Sequence, residues 1–253
     1  MTEPVRVERE GKTLIITLNR PEARNAVNRA VAERVAAALG ELDGDPELTI
    51  GILTGAGGNF SSGMDLKAFL AGERAELEGR GFAGLTRTPP NKPLVAAVEG
   101  YALAGGCEMV LACDLVVAAE DAVFGLPEVK RGLIAGSGGL LRLPRRIPPS
   151  VAMEHALTGD PMNAVEAHRW GLVNRLVVPG QALDEARRLA ARIAENGPLA
   201  VRLTKALVNE AAASADVLWE RQDAMLATIL ASADAMEGAS AFVERRRPVW
   251  RDA

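Results

Sequence analysis

Short apolar runs alternate with segments of helical periodicity along the first half of the chain. Four runs have no helical period and predict buried strands: residues 13–18, 49–54, 93–98 and 115–119. Between the first two, Asn28 precedes apolar residues that are spaced as on one helix face, from Val31 to Leu42. Strand, helix and strand in this order predict an α/β fold with crossover connections.

Beyond Arg142 the pattern becomes mainly helical. A last short strand is expected within residues 171–178, after a helix bounded by an Asn163/Glu166 capping box and by Gly171. The predicted helices cover residues 150–157, 163–170, 183–195, 200–213, 216–230 and 233–246. We divide the chain into a core, residues 1–195, and a C-terminal helical region, residues 196–253. The wide Ala/Leu faces of that region either contact another subunit or cover the chain's own core.

A pair of glycines follows the third predicted strand and opens a helix near Gly105. The first turn of a helix leaves unpaired N–H groups at the positive end of its dipole, and glycine lets a ligand oxygen approach them closely. With a second N–H facing the same point, the pair would form an oxyanion hole. The turn at residues 57–67 is one source of that donor, and its Lys67 can reach an anionic ligand. An ordinary loop with Asp65 as a helix cap explains the same turn.

Two glutamates, Glu108 and Glu128, stand a helix, a strand and a turn apart. Glu108 lies in the first turn of the predicted helix, where the dipole alone also explains a carboxylate. Glu128 follows Pro127, whose fixed φ presents it rigidly on a loop. Two carboxylates that meet in an apolar pocket acquire different proton affinities, as acid–base catalysis requires. The spacing permits such a meeting without requiring it.

The composition excludes several classes of function. The chain has 253 residues, 48% of them hydrophobic, with a net charge of −4 and a pI near 5.4, so nothing attracts it generally to nucleic acids or anionic membranes. Its cysteines, Cys107 and Cys113, support neither a disulfide scaffold nor a zinc site. The sequence shows no apolar leader and no apolar run of membrane length, and together with the few cysteines this favours the cytoplasm. The histidines, His155 and His168, lie far from the glycines, which argues against a Ser-His-Asp site, and nucleotide-binding motifs are absent.

Two polar segments are expected to lie around the site. The loop at residues 19–25 has two arginines, Arg20 and Arg24, and is either a solvated turn or a phosphate grip. Residues 71–90 are charged and interrupted by glycines, so we expect a mobile flap over the ligand there.

Five stretches of the chain resemble the crotonase, or enoyl-CoA hydratase/isomerase, superfamily. They are LNRPEARNAVN, FSSGMDLK, the long central YALAGGCEMVLACDLVVAAEDAVFGLPEVKRGLIAGSGGLLRLPR, LTGDPMNAVEAHRWGLVNRLV and AFVERRRPVW. The resemblance implies a spiral of strand-strand-helix repeats, with a C-terminal helical region that forms homotrimers or dimers of trimers. It also implies an acyl-CoA thioester as substrate. Coenzyme A is then part of the substrate, and no separate cofactor or metal is implied.

The resemblance also implies roles for individual residues. The backbone N–H groups of Met64 and Gly105 would hold the thioester oxygen, Glu108 and Glu128 would be catalytic, and Gly136 would help to place a water. The candidates for CoA binding are Arg24, Ser62, Asp65, Leu66 and Lys67. Two residues depart from the usual pattern: Met64 stands where a small residue is usual, and Ala135 where proline is usual. The stretch LPEVKRGL…SGGLLRLPR also resembles the carnitinyl-CoA dehydratase-like branch.

The expected reaction is the reversible addition of water to a trans-2-enoyl-CoA, giving a 3-hydroxyacyl-CoA, with fatty acid β-oxidation as the setting. Double-bond isomerisation, which needs one base and no bound water, and a carnitinyl-CoA dehydratase-like reaction are the enzymatic alternatives. A non-catalytic acyl-CoA-binding protein is the alternative from another class. The presence of both glutamates argues against it.

Overall fold

The described residues form a six-stranded sheet, a three-stranded sheet and a two-stranded hairpin, connected by helices. The computed structural model describes residues 3–212, 223–224, 227 and 230–249. The strands are β1 Val5–Glu10, β2 Thr13–Leu18, β3 Ile50–Gly55, β4 Glu76–Leu77, β5 Gly81–Phe82, β6 Leu94–Val98, β7 Tyr101–Leu103, β8 Leu115–Ala119, β9 Val123–Gly125, β10 Met162–Asn163 and β11 Arg175–Val177. The helices are α1 Arg29–Gly44, α2 Leu66–Leu70, α3 Gly105–Ala112, α4 Gly139–Arg146, α5 Pro149–Thr158, α6 Ala164–Trp170, α7 Ala182–Ala194, α8 Pro198–Ala212 and α9 Ala233–Glu244, with 3-10 helices at Pro21–Ala23 and Pro127–Arg131.

The main sheet has the strand order β1-β2-β3-β6-β8-β11. β1 runs antiparallel to β2, and the other neighbouring pairs are parallel. Its central strands are mostly apolar and buried because both faces of a parallel sheet are covered. Ile15, Ile52 and Val95 pack against α7, whereas Ile16 and Leu53 face the main core. The strands predicted from the apolar runs are therefore confirmed.

A second, three-stranded sheet has the order β10-β9-β7, and a parallel bridge between Ser61 and Ala102 continues it. β6, β7 and α3 follow one another along the chain, as do β8, β9 and the second 3-10 helix. Each pass thus adds one strand to each sheet before a helix. This is the strand-strand-helix spiral that the resemblance implied.

Capping residues set the helix boundaries as predicted. The Asn28 side chain accepts a hydrogen bond from the Val31 N–H at the start of α1, and Asn163 accepts one from Glu166 at the start of α6. Gly171, with φ 92°, ends α6. α8 and α9 correspond to predicted C-terminal helices, and the one predicted at residues 216–230 lies mostly outside the described residues. None of the described helices is long and apolar enough to cross a membrane.

The structure corrects the sequence-based prediction in several places. β1, β7, β9, β10 and α4 were not predicted, because β1 is charged and α4 contains both a glycine-rich start and a proline. The mobile flap predicted at residues 71–90 is wrong for its central part. Ala75, Phe82 and Leu85 are buried there, and β4 and β5 pair as a hairpin. Glu128 was predicted on a loop and instead lies in the first turn of a 3-10 helix.

Candidate active site

The first turn of α3 is pressed between two other segments. A Cβ on Gly105 would lie 2.5 Å from two carbons of the Phe82 ring, and a Cβ on Gly106 would lie 2.3 Å from the Ser61 carbonyl oxygen. Glycine permits this close packing. Ala104, directly before the helix, has φ 51° and ψ −128°, a conformation that costs about 1–3 kcal/mol for a residue with a side chain. This strained peptide sets the direction of the Gly105 N–H.

The turn that contains Met64 packs directly against the start of α3. In a parallel bridge, the Val27 N–H donates to the Gly63 carbonyl (2.8 Å) and the Asp65 N–H donates to the Val27 carbonyl (2.9 Å). The N–H of Met64 therefore faces away from Val27. A Cβ on Gly63 would lie 2.9 Å from the Gly105 nitrogen. Among the described residues, no backbone acceptor takes a hydrogen bond from Met64 or Gly105 outside regular secondary structure, so two donors are available beside one turn.

Glu108 is buried in the first turn of α3, with a relative exposure of 3%. Its Oε1 accepts hydrogen bonds from the N–H groups of Ser137 (2.7 Å) and Gly139 (2.9 Å). Gly139 must be small here, because a Cβ on it would lie 3.0 Å from the Glu108 side chain. The loop before α4 thus holds one carboxylate oxygen and fixes the orientation of the group.

Glu128 lies at the start of the 3-10 helix that follows β9. Its Oε2 is buried and has no hydrogen-bond partner among the described residues. Glu108 and Arg131 are the charged groups that most affect it. The Arg131 guanidinium lies 4.5 Å from the centre of the Phe242 ring in α9, so the C-terminal helix packs on the segment that contains Glu128.

The structure brings the two glutamates into electrostatic contact. Burial raises the pKa of Glu108, and this effect is opposed by the hydrogen bonds from Gly139 and Ser137 and by the charge of Arg142. Burial also raises the pKa of Glu128, and the neighbouring charge of Glu108 raises it further. Glu108 accepts hydrogen bonds from two N–H groups of the loop before α4, whereas the charge of Glu108 itself raises the pKa of Glu128, so Glu108 is the carboxyl that ionises more readily. When the two carboxyls together hold one proton, their environments therefore favour its position on Glu128.

Gly136 lies in the loop before α4, between Ala135, which is buried, and Ser137, whose N–H donates to Glu108. The role of Gly136 in placing water stays a prediction. The hydrogen bonds from Ser137 and Gly139 could not be predicted from the sequence, since glycine-rich loops have many conformations. Arg142 was also missed: its guanidinium donates to the Thr86 carbonyl (2.5 Å) and connects α4 to the segment after β5.

The CoA-binding candidates surround the turn that contains Met64. The Ser62 N–H donates to the Arg24 carbonyl (2.9 Å), which connects the two loops. Asp65 caps α2 by accepting from Lys67 and Ala68, and its other oxygen pairs with Arg20 at 2.9 Å. The side chain of Asp65 thus has a structural role. The side chains of Arg24 and Lys67 are exposed, and Leu66 begins α2.

Comparison with known proteins identifies the family. The enoyl-CoA hydratase/isomerase family profile matches residues 8–253. A carnitinyl-CoA dehydratase of Salmonella enteritidis PT4 is 42% identical, over 99% of each chain. The crystal structure of a carnitinyl-CoA hydratase from Mycobacterium avium is 46% identical over the whole of both chains, with a TM-score of 0.96. That of an enoyl-CoA hydratase from Mycobacterium marinum is 57% identical, over 98% of this chain and 99% of the other, with a TM-score of 0.83. The chain belongs to the enoyl-CoA hydratase/isomerase family, the crotonase superfamily.

Proposed function

We propose that the protein catalyses the reversible hydration of a trans-2-enoyl-CoA to a 3-hydroxyacyl-CoA. The observation that carries this proposal is the pair of buried glutamates, Glu108 and Glu128, which differ in their hydrogen bonds, and the charge of Glu108 raises the pKa of Glu128. An isomerase needs one such group, whereas adding the two parts of water needs a base and an acid. Family members with hydratase and dehydratase names support the reaction class.

Binding of the thioester oxygen is the first step. The N–H groups of Met64 and Gly105 would donate to this oxygen, and the dipole of α3 adds to their effect. When water attacks the β-carbon, negative charge moves through the α-carbon to the oxygen, where the two donors stabilise it. A single donor of this kind typically contributes about 2.7–4 kcal/mol to catalysis.

The different environments of the glutamates support a separate role for each in proton transfer. Glu108, held by two N–H groups and facing Arg142, is the base that takes a proton from water. Glu128, whose Oε2 has no partner and lies near the charge of Glu108, holds the proton that is given to the α-carbon. Water thus loses one proton to Glu108, and the enolate gains one from Glu128. The proton then returns between the carboxyls, and dehydration follows the same steps in reverse.

The assay is the loss of crotonyl-CoA absorbance with the wild-type protein and the variants Glu108→Gln and Glu128→Gln. A glutamine at position 108 can still accept from Ser137 and Gly139, so the variant removes the proton carrier and keeps the geometry. Each substitution is expected to lower kcat by about 10²–10⁴-fold while binding of a saturated acyl-CoA survives. A wild-type protein that binds the thioester without converting it, or a glutamine variant with near-normal hydration, contradicts the proposal.

A second candidate function is the dehydration of carnitinyl-CoA. Its support is the name of several relatives that match along their full length. The chemistry at the thioester is the same, and the difference is a quaternary ammonium group on the acyl chain. Both reactions therefore fall under one proposal, the reversible addition of water to an enoyl-CoA, and they differ in the acyl group of the substrate.

We further propose that CoA phosphates are held by Arg24 and Lys67 and that the protein is a homotrimer or a dimer of trimers. Exposed Arg24 lies on the loop before α1 and exposed Lys67 lies in the first turn of α2, on either side of the Met64 turn in sequence. Exposed Leu199, Leu203 and Leu207, spaced four residues apart, form an apolar stripe on α8 that fits subunit contact. Sedimentation equilibrium measures the assembly, and a monomer contradicts it.

A further inference from the structure

A third glutamate, Glu76, stands beside the candidate active site. It lies in β4, directly opposite Phe82 of β5 in the antiparallel hairpin. Side chains of directly opposed residues project from the same face of such a hairpin. The Phe82 ring lies against Gly105, so that face of the hairpin is turned toward the oxyanion turn. Ala75 and Leu77, the neighbours of Glu76 along the strand, pack on the core with the opposite orientation.

The surroundings of Glu76 leave its charge without a counter-ion. The residue is exposed at the surface, yet loss of hydration at its carboxylate raises its pKa. It is close enough to Glu108 to raise the pKa of that group as well. Among the described residues, no basic side chain forms an ion pair with Glu76. Arg74, the nearest in effect, lies over the Phe69 ring and donates to backbone carbonyls.

This arrangement is unfavourable for a plain hydrocarbon acyl chain. A neutral chain that extends past this face of the hairpin removes more water from Glu76 and offers nothing in return. A cationic substituent near the β-carbon compensates for the lost hydration and also offsets the repulsion between Glu76 and Glu108. A quaternary ammonium group suits this position because it carries charge without needing hydrogen-bond acceptors.

We propose that Glu76 is a specificity-determining residue that recognises a positive charge on the acyl group, next to the reacting carbons. The inference rests on the proposed function, because it takes the acyl chain to extend from the oxyanion turn toward the β4–β5 hairpin. It favours a substrate with a γ-trimethylammonium group over a hydrocarbon chain of the same size. Glu76 takes no part in proton transfer.

Binding of two saturated thioesters that differ only in charge tests the inference without turnover. The probes are 4-(trimethylammonio)butanoyl-CoA and its neutral isostere 5,5-dimethylhexanoyl-CoA, in which a tert-butyl group replaces trimethylammonium. Their Kd values are measured by titration calorimetry with the wild-type protein and with Glu76→Gln. Glu78→Gln is the matched control, since Glu78 is an exposed glutamate in the turn of the same hairpin.

The wild-type protein and the Glu78→Gln control are expected to bind the cationic thioester about tenfold more tightly than the isostere at low salt. In Glu76→Gln that preference disappears, while the Kd of the neutral isostere stays the same or falls. Equal preference in wild type and Glu76→Gln overturns the inference, as does a wild-type preference for the isostere. Hydration of crotonyl-CoA and of 4-(trimethylammonio)crotonyl-CoA by the wild-type protein, measured in parallel, separates the two proposals. Activity on either substrate without a charge preference in binding removes only the role of Glu76, and absent activity on both substrates removes the proposed function.

Discussion

The stability of the protein should depend on pH through the two buried glutamates, and Glu128→Gln should weaken that dependence. Burial raises the pKa of both carboxyls above the value of 4.5 that applies in the unfolded chain. The folded protein therefore keeps protons that the unfolded chain releases. Stability from these groups is complete below the unfolded pKa and is lost as the pH rises toward the folded pKa values.

The size of the effect follows from the number of protons. Each proton that only the folded state holds gives a slope of about 1.4 kcal/mol per pH unit, so two carboxyls give at most about 2.8 kcal/mol per pH unit. Glu128→Gln removes one titrating group and the repulsion that couples it to Glu108. The contribution of the pair to the slope should then fall to at most about 1.4 kcal/mol per pH unit.

The measurement is the free energy of unfolding by urea from pH 5 to 8.5, at one protein concentration because assembly also affects stability. Glu120→Gln, a substitution of an exposed glutamate on the same chain, is the control and should keep the wild-type slope. The difference between Glu128→Gln and wild type isolates the buried pair, since all other groups titrate in both. If the two slopes are the same, Glu128 does not have the raised pKa that the proposed site requires.

Three further predictions concern the rest of the site. A Cβ at position 105 meets the Phe82 ring, so Gly105→Pro is made in a Phe82→Ala background. The double variant should fold and have a kcat about 10²-fold or more below that of Phe82→Ala, because proline removes the N–H donor. Full activity of the double variant contradicts the role of the Gly105 N–H. Ala104→Gly should raise the free energy of unfolding by about 1 kcal/mol in urea denaturation, since φ 51° suits glycine; an unchanged or lower value contradicts the strain. Arg24→Ala and Lys67→Ala should raise KM at low salt, less at high salt, with kcat nearly unchanged. An unchanged KM in both variants removes them from the CoA site.

The main sheet could be predicted from the sequence because its strands are buried on both faces. Runs such as residues 13–18 and 93–98 contain no charged residue and no helical spacing of polar residues that would suggest another element. β1 could not be found this way, because an edge strand exposes most of its side chains and its charges resemble a loop. The hairpin of β4 and β5 has only two residues in each strand, and buried Phe82 and Leu85 hold it in place through contacts distant in sequence.

The residues of the candidate site could be proposed from the sequence, and their arrangement could not. The spacing of Glu108 and Glu128 permitted a meeting, and the resemblance to the family implied it. The hydrogen bonds that distinguish the two carboxyls come from Ser137 and Gly139, in a glycine-rich loop whose conformation depends on tertiary packing. The strain at Ala104 was equally hidden, because alanine gives no sequence signal for a positive φ.

The central claim is that Glu108 and Glu128 add one water molecule across the double bond of an enoyl-CoA. Crotonyl-CoA is incubated with the protein in deuterated, ¹⁸O-enriched water, and the product is analysed by mass spectrometry and NMR. We predict 3-hydroxybutyryl-CoA with one solvent oxygen at C3 and one deuterium at C2, formed by the wild-type protein and greatly slowed in Glu108→Gln and Glu128→Gln. Deuterium exchange or migration of the double bond without oxygen incorporation, or unchanged rates in both variants, would contradict the claim.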